Sequence, residues 1–230
     1  MKTLGLLGGM SWESTVPYYQ IINRAVNQRL GGLHSARLVL HSVDFDDIEK
    51  LQHAGAWDEA ARILAAAAAG LEAAGAQGFL LCTNTMHKVA EEVEAAVSIP
   101  LLHIADATAR AVRAAGHSVV GLLGTRFTME QEFYRGRLER QHGLRVVIPS
   151  ARDRETVHRV IYEELCLGQI LEASRRDYDR IIETLIHQGA EGVILGCTEI
   201  GLLVDDRTAP VPLFDTTEIH ALSAVDWALE

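Results

Sequence analysis

The chain has 230 residues, a formal net charge of −10 and a hydrophobic content of 48%. These values specify a folded protein with one large or two small cores, and an acidic chain without a basic stripe argues against nucleic acid as a partner. No apolar run reaches the twenty or so residues of a membrane span, no leader pattern is expected, and three cysteines fit a reducing, cytoplasmic setting better than a disulfide framework.

Thr3 to Gly8 reads as a short strand stopping at Gly8-Gly9-Met10-Ser11. A helix is expected from about Glu13, with Pro17 in its first turns, ending at Gly31-Gly32. Ala36 to Val43 reads as a strand. Asp58 is placed as the cap of an alanine-rich helix with Ile63, Leu64, Ala67, Ala68 and Leu71 as its apolar stripe. The strand Gly78 to Cys82 follows, then a helix over His87 to Val97 and a strand over Ile99 to Ile104 with Pro100 at its start. Asp106 to Ala115 is helical, Val119 to Gly124 a strand, Thr128 to His142 a helix and Leu144 to Ile148 a strand. A helix over Arg154 to Leu167 and another to Gln188, capped by Ser174, lead into the strand Gly192 to Gly196. Val211 to Phe214 is a last strand, and a helix closes the chain near Leu229.

Strands alternate with helices throughout, so the expected class is α/β with parallel sheets. The chain also repeats itself. Gly75-Ala-Gln-Gly-Phe-Leu-Leu-Cys-Thr-Asn-Thr85 aligns without a gap on Gly189-Ala-Glu-Gly-Val-Ile-Leu-Gly-Cys-Thr-Glu199, placing Thr83 on Cys197. Gly5-Leu-Leu-Gly8 recurs as Gly121-Leu-Leu-Gly124, and Pro100-Leu-Leu-His103 parallels Pro212-Leu-Phe-Asp215. We expect two lobes, residues 1–100 plus 210–230 and residues 101–209.

A buried parallel strand delivers chemistry at its C-terminal end. Cys197 follows such a strand and Gly196, where free backbone N–H groups favour a thiolate. Cys82 sits one residue too early to match it and points to the opposite face from Thr83, which favours a structural role. Cys166 falls on the apolar face of a helix and reads as core. Asn84, Thr85 and the N–H groups after them could hold a carboxylate, and equally suit a turn. Gly8-Gly9 lacks the spacing of a nucleotide loop, and Thr125 mirrors it in the second half. The ten histidines show no convincing metal spacing. Only Lys2, Lys50 and Lys88 are lysines, a poor supply for a pyridoxal phosphate enzyme.

At Asn84-Thr85-Met86-His87 and Gly196-Cys197-Thr198-Glu199 the sequence resembles the aspartate/glutamate racemase family, as do Gly5-Leu-Leu-Gly-Gly-Met10 and Tyr162-Glu163-Glu164-Leu165. The likeness spans nearly the whole chain and is strongest to bacterial broad-specificity or aspartate/glutamate-specific members. It implies two pseudo-symmetric lobes with the site in the cleft between them, a homodimer, and racemisation of glutamate or aspartate without pyridoxal phosphate, other cofactor or metal. The implied substrate contacts are Met10, Gln52, Thr83, Asn84, Thr85, Thr125, Thr198 and Glu199. Family members usually carry a cysteine at the position of Thr83, and some carry a lysine near that of Cys166 to hold the distal carboxylate. This chain has neither, and Gln52 or an arginine is the expected substitute grip.

The expected mechanism has Cys197 abstracting the Cα proton as thiolate, with Thr83 on the opposite face of the substrate, and so a bias towards the L enantiomer. A one-cysteine decarboxylase, a maleate isomerase, or a two-lobed amino-acid-binding protein without turnover remain open.

Overall fold

A computed structural model of the chain describes residues 1–204 and 209–230. It divides into two compact units, Met1–Ile104 with His220–Glu230, and Ala105–Ile219. Among the described residues no helix is long and apolar enough to cross a membrane.

In the first unit, β1 (Leu4–Gly8), α1 (Trp12–Leu30), β2 (Leu38–Ser42), α2 (Phe45–Ala54), α3 (Trp57–Ala73) and β3 (Gly78–Leu81) follow in order. The three strands pair in parallel as β2-β1-β3. β1 and β3 are buried throughout and carry no polar alternation, as a central parallel strand requires. The alternation instead divides two cores. Phe79 and Leu81 pack with the alanine-rich face of α3, while Leu80 and Cys82 pack with Tyr18, Ile22 and the closing helix. A 3₁₀ turn (Thr85–Val89) and α4 (Ala90–Ala95) complete this part.

In the second unit, α5 (Ile104–Ala114), which starts at the last residue of the first, leads to β4 (Val119–Gly124), α6 (Arg126–Glu130), α7 (Arg135–His142), β5 (Arg145–Val147) and α8 (Ala151–Glu163). A 3₁₀ turn (Leu165–Leu167), α9 (Glu172–His187), β6 (Gly192–Gly196), α10 (Ile200–Leu203) and β7 (Leu213–Asp215) follow, and α11 (Thr216–Leu229) begins in the second unit and continues as part of the first from His220. The strands pair in parallel as β5-β4-β6-β7. The first strand of each unit therefore lies between its second and third, and the two units share one topology. Gly75 and Gly189, which open the two copies of the repeat, take matching positive φ of 95° and 97°, a conformation that glycine adopts without Cβ strain.

The boundaries differ from the sequence expectation. The second crossing lies at 219/220 instead of 209/210, because β7 pairs with β6 and Val193 N–H bonds Pro212 O at 2.9 Å. The first lies at 104/105 instead of 100/101, because Leu101 still bridges Phe79. Residues 205–208 of the expected second lobe lie outside the described residues.

Several elements are shorter or broken. The strand expected over Ile99 to Ile104 is one bridge, since Pro100 has no N–H to donate and α5 begins at Ile104. The helix expected over Thr128 to His142 is two, α6 and α7. α8 starts earlier than Arg154, capped by Ser150, which accepts from Asp153 N–H. Neither Asp58 nor Ser174 is a cap. Asp58 lies in the first turn of α3, and the Ser174 hydroxyl donates to Glu164 Oε2 at 2.5 Å. α2 was not foreseen, although Asp44 caps its start and left-handed Gly55 its end.

Candidate active site

The tip of the first unit forms where β1 and β3 end side by side, with Leu7 opposite Leu81. Gly8 and Gly9 are required by the protein's own packing. A Cβ on Gly8 would lie 2.4 Å from Thr15 Cγ2, and one on Gly9, at φ 88°, would lie 2.2 Å from Val43 O. Gly9 N–H donates to Thr15 Oγ1 at 2.9 Å, and that hydroxyl donates to Ser11 O at 2.8 Å. The loop is thereby stitched to the first turn of α1.

Beyond β3 the chain runs through Cys82, Thr83, Asn84 and Thr85, all buried. Cys82 packs in the core beside Leu80, and burial pushes its thiol well above the ordinary range, so it is a hydrophobe in function. Thr83 belongs to neither core cluster. Among the described residues its hydroxyl makes no hydrogen bond, while its carbonyl accepts from His87 Nδ1 at 2.8 Å. Asn84 O accepts His87 N–H at 3.1 Å, which tightens this segment into a 3₁₀ turn where a longer helix was expected. Met10 lies within the core cluster containing Leu7, Ile48 and Met86. Gln52, buried on α2, donates to Met86 Sδ at 3.0 Å.

The tip of the second unit is built alike, with Gly124 opposite Gly196 where β4 and β6 end. Thr125 and Cys197 therefore leave adjacent strands at the same level. Thr125 caps α6, accepting from Thr128 N–H at 3.3 Å. Cys197 donates its thiol proton to Glu199 Oε2 at 3.1 Å, and Thr198 Oγ1 donates to the same oxygen at 2.7 Å. Glu199 is buried beside them. Burial first, and then the Glu199 carboxylate, push the Cys197 thiol well above its ordinary range. The thiol rests protonated with a carboxylate in hydrogen-bond reach. Cys166 lies in the 3₁₀ turn, and burial also holds its thiol up.

The structure thus groups Thr83, Asn84 and Thr85 at one tip and Thr125, Cys197, Thr198 and Glu199 at the other. Sequence reasoning treated Glu199 as a substrate contact and did not see its bond to Cys197, although a carboxylate two residues after a nucleophile is a visible signal. It also placed His87 only at the start of a helix. Among the described residues no group of three or more His, Cys, Asp or Glu side chains is placed to hold a metal ion.

A family model described as Asp/Glu/Hydantoin racemase matches residues 7–224. A broad specificity amino-acid racemase of Bacillus subtilis is 24% identical over 96% of both chains. A crystal structure from Yersinia pestis, described as a candidate Asp/Glu racemase, is 59% identical over 100% of both chains with a TM-score of 0.94. An aspartate racemase homologue from Pyrococcus horikoshii is 35% identical over 100% of both chains with a TM-score of 0.86. The family model spans residues 7–224 of this chain, and the chain belongs to the Asp/Glu/Hydantoin racemase family.

Proposed function

We propose that this protein racemises a small acidic amino acid, aspartate or glutamate, without a cofactor, using Cys197 as the base that takes the Cα proton of the L enantiomer. The observation that carries the reading is the Cys197 thiol bonded to Glu199 at 3.1 Å. A thiol held neutral by burial is a poor base until its proton leaves, and Glu199 is the group positioned to accept it. Proton transfer from Sγ to Oε2 gives a thiolate, which removes the Cα proton. Thr198 donates to the same carboxylate oxygen and fixes its orientation. Glu199 is thereby assigned to the thiol proton.

Thr83 stands on the opposite face of the substrate. Its hydroxyl is far too weak an acid or base to match a thiol, so it delivers a proton to the carbanion by relay from water. Asn84, Thr85 and the N–H groups around them hold the α-carboxylate as it gains enolate character. The enzyme is therefore asymmetric in its kinetic constants, although the equilibrium between enantiomers fixes the ratio of the two overall efficiencies.

The test is α-proton exchange in heavy water, followed by NMR on a panel of L and D amino acids. Exchange and inversion of aspartate or glutamate supports the reading. Turnover of a malonate or of maleate without racemisation would replace it by a decarboxylase or an isomerase. Tight binding with no exchange would replace it by a binding protein.

We also infer a homodimer packed on α1. Trp12, Val16 and Tyr19 are 63%, 45% and 55% exposed and line one side of that helix. Among the described residues Glu13 and Arg24, which flank the stripe, have no ion-pair partner. An antiparallel two-fold beside Tyr19, at the end of the stripe and midway between residues 13 and 24, brings Glu13 of one copy beside Arg24 of the other. Sedimentation should show a dimer that E13R dissociates and the double variant E13R/R24E restores.

A further inference from the structure

The two tips hold their working residues by different means. In the second unit the Cys197 carbonyl accepts from Ile200 N–H at 3.2 Å, so the backbone closes its own turn. In the first unit the Thr83 carbonyl accepts from a side chain, His87 Nδ1, at 2.8 Å. The position that matches His87 in the repeat is Gly201, which has no side chain and lies against Asp215, where a Cβ would be 3.0 Å from Oδ2. The position that matches Asp215 is His103, whose ring lies 4.4 Å from that of His87. His87 is a feature of one lobe only.

Its chemistry is determined by its partners. A carbonyl only accepts, so Nδ1 carries the proton. Ile104 N–H donates to Nε2 at 3.3 Å, so Nε2 is bare. The imidazole is neutral and spans from Thr83 O to the first residue of α5. It is 2% exposed and is flanked by His103 and by His220, whose ring lies 6.0 Å away. His220 is itself fixed, with Nδ1 on the Tyr18 hydroxyl at 2.9 Å and Nε2 on Leu102 O at 2.6 Å. Thr83 follows the end of β3 by two residues, and among the described residues no ladder hydrogen bond holds it.

We propose that His87 is the positioning residue for Thr83, its Nδ1–H holding the Thr83 carbonyl so that the hydroxyl is presented to the substrate in one orientation. This rests on the racemase reading of Thr83 above. It deepens that reading by giving the weaker tip a device that the thiol tip does without.

The test uses two substitutions that each keep one half of the imidazole. In H87N the side-chain amide sits where Nδ1 does and can still donate to Thr83 O, but it loses Ile104. In H87Q the longer side chain reaches the place of Nε2 and can still accept from Ile104 N–H, but it loses Thr83. Each removes one buried hydrogen bond, so the two should lose similar thermal stability. The expected result is that H87Q lowers kcat for racemisation by about 10²-fold with little change in KM, in the range of a misplaced catalytic group. H87N should stay within a few-fold of wild type. Equal losses in the two variants, or loss that only tracks unfolding, would make His87 structural and overturn the proposal. So would wild-type kcat in H87Q. Wild type and T83A are measured alongside. A wild type without α-proton exchange sinks the racemase reading and this inference with it. An active wild type, an impaired T83A and a normal H87Q sink this inference alone.

Discussion

The tips of β3 and β6 are made from one plan and finished differently. Both strands are buried, both follow a helix and a left-handed glycine, and both end beside the first strand of their unit. β3 then delivers a hydroxyl with no hydrogen bond among the described residues and a carbonyl held by His87. β6 delivers a thiol already bonded to Glu199. The frame sets where a side chain emerges, and the residues just beyond the strand set what it can do. The second unit carries a thiol and a carboxylate bonded to each other, and the first a threonine whose carbonyl is tied by a side chain. Glu164, near the Cys166 turn, is held by Arg159 at 3.0 Å and Ser174 at 2.5 Å, which secures the turn from α8 to α9.

The comparison breaks most severely at Cys197. C197A should abolish α-proton exchange from the L substrate, a loss beyond about 10³-fold as for an essential nucleophile or base. The fold, read by circular dichroism, should be retained. Next is Glu199. E199Q removes the proton acceptor and should cost about 10²-fold at neutral pH, as general-base catalysis does. Burial still holds the thiol above its ordinary range in that variant. A thiolate then forms only as pH rises through that raised value, so E199Q should recover with increasing pH. Wild type, able to pass the proton to Glu199, should vary little across neutrality. Parallel profiles for the two would remove Glu199 from the mechanism.

T83C sharpens the comparison from the other side. It gives the first tip a thiol and should raise exchange from the D substrate by about tenfold, since a cysteine is a far better base than a threonine near neutral pH. The smallest effect belongs to Cys82. C82A removes one buried sulfur from the core and should lower stability by about 1 kcal/mol with activity unchanged.

Much of this was legible from residues. The ungapped repeat located both tips, placed Thr83 against Cys197 and assigned Cys82 to the core, and strand alternation through Phe79, Leu80, Leu81 and Cys82 shows why. The class and the shared topology followed from strands alternating with helices. What was not legible depended on partners distant in sequence. The second crossing moved ten residues because β7 pairs with β6, which composition near Pro210 does not reveal. Ser174 has the makings of a cap and instead serves Glu164. His87 reads as a polar residue after a strand, and only Ile104 N–H on its far nitrogen shows that it is a tie. Met10 matched a motif, and the motif does not reveal that its neighbours are Leu7, Ile48 and Met86.

The central claim is that the two tips have unequal chemical strength, and initial deuterium incorporation at Cα tests it most directly. With limiting L and D substrate in heavy water, wild type should exchange the L enantiomer much faster than the D, and T83C should bring the two rates together. Equal initial rates in the wild-type protein would contradict the account.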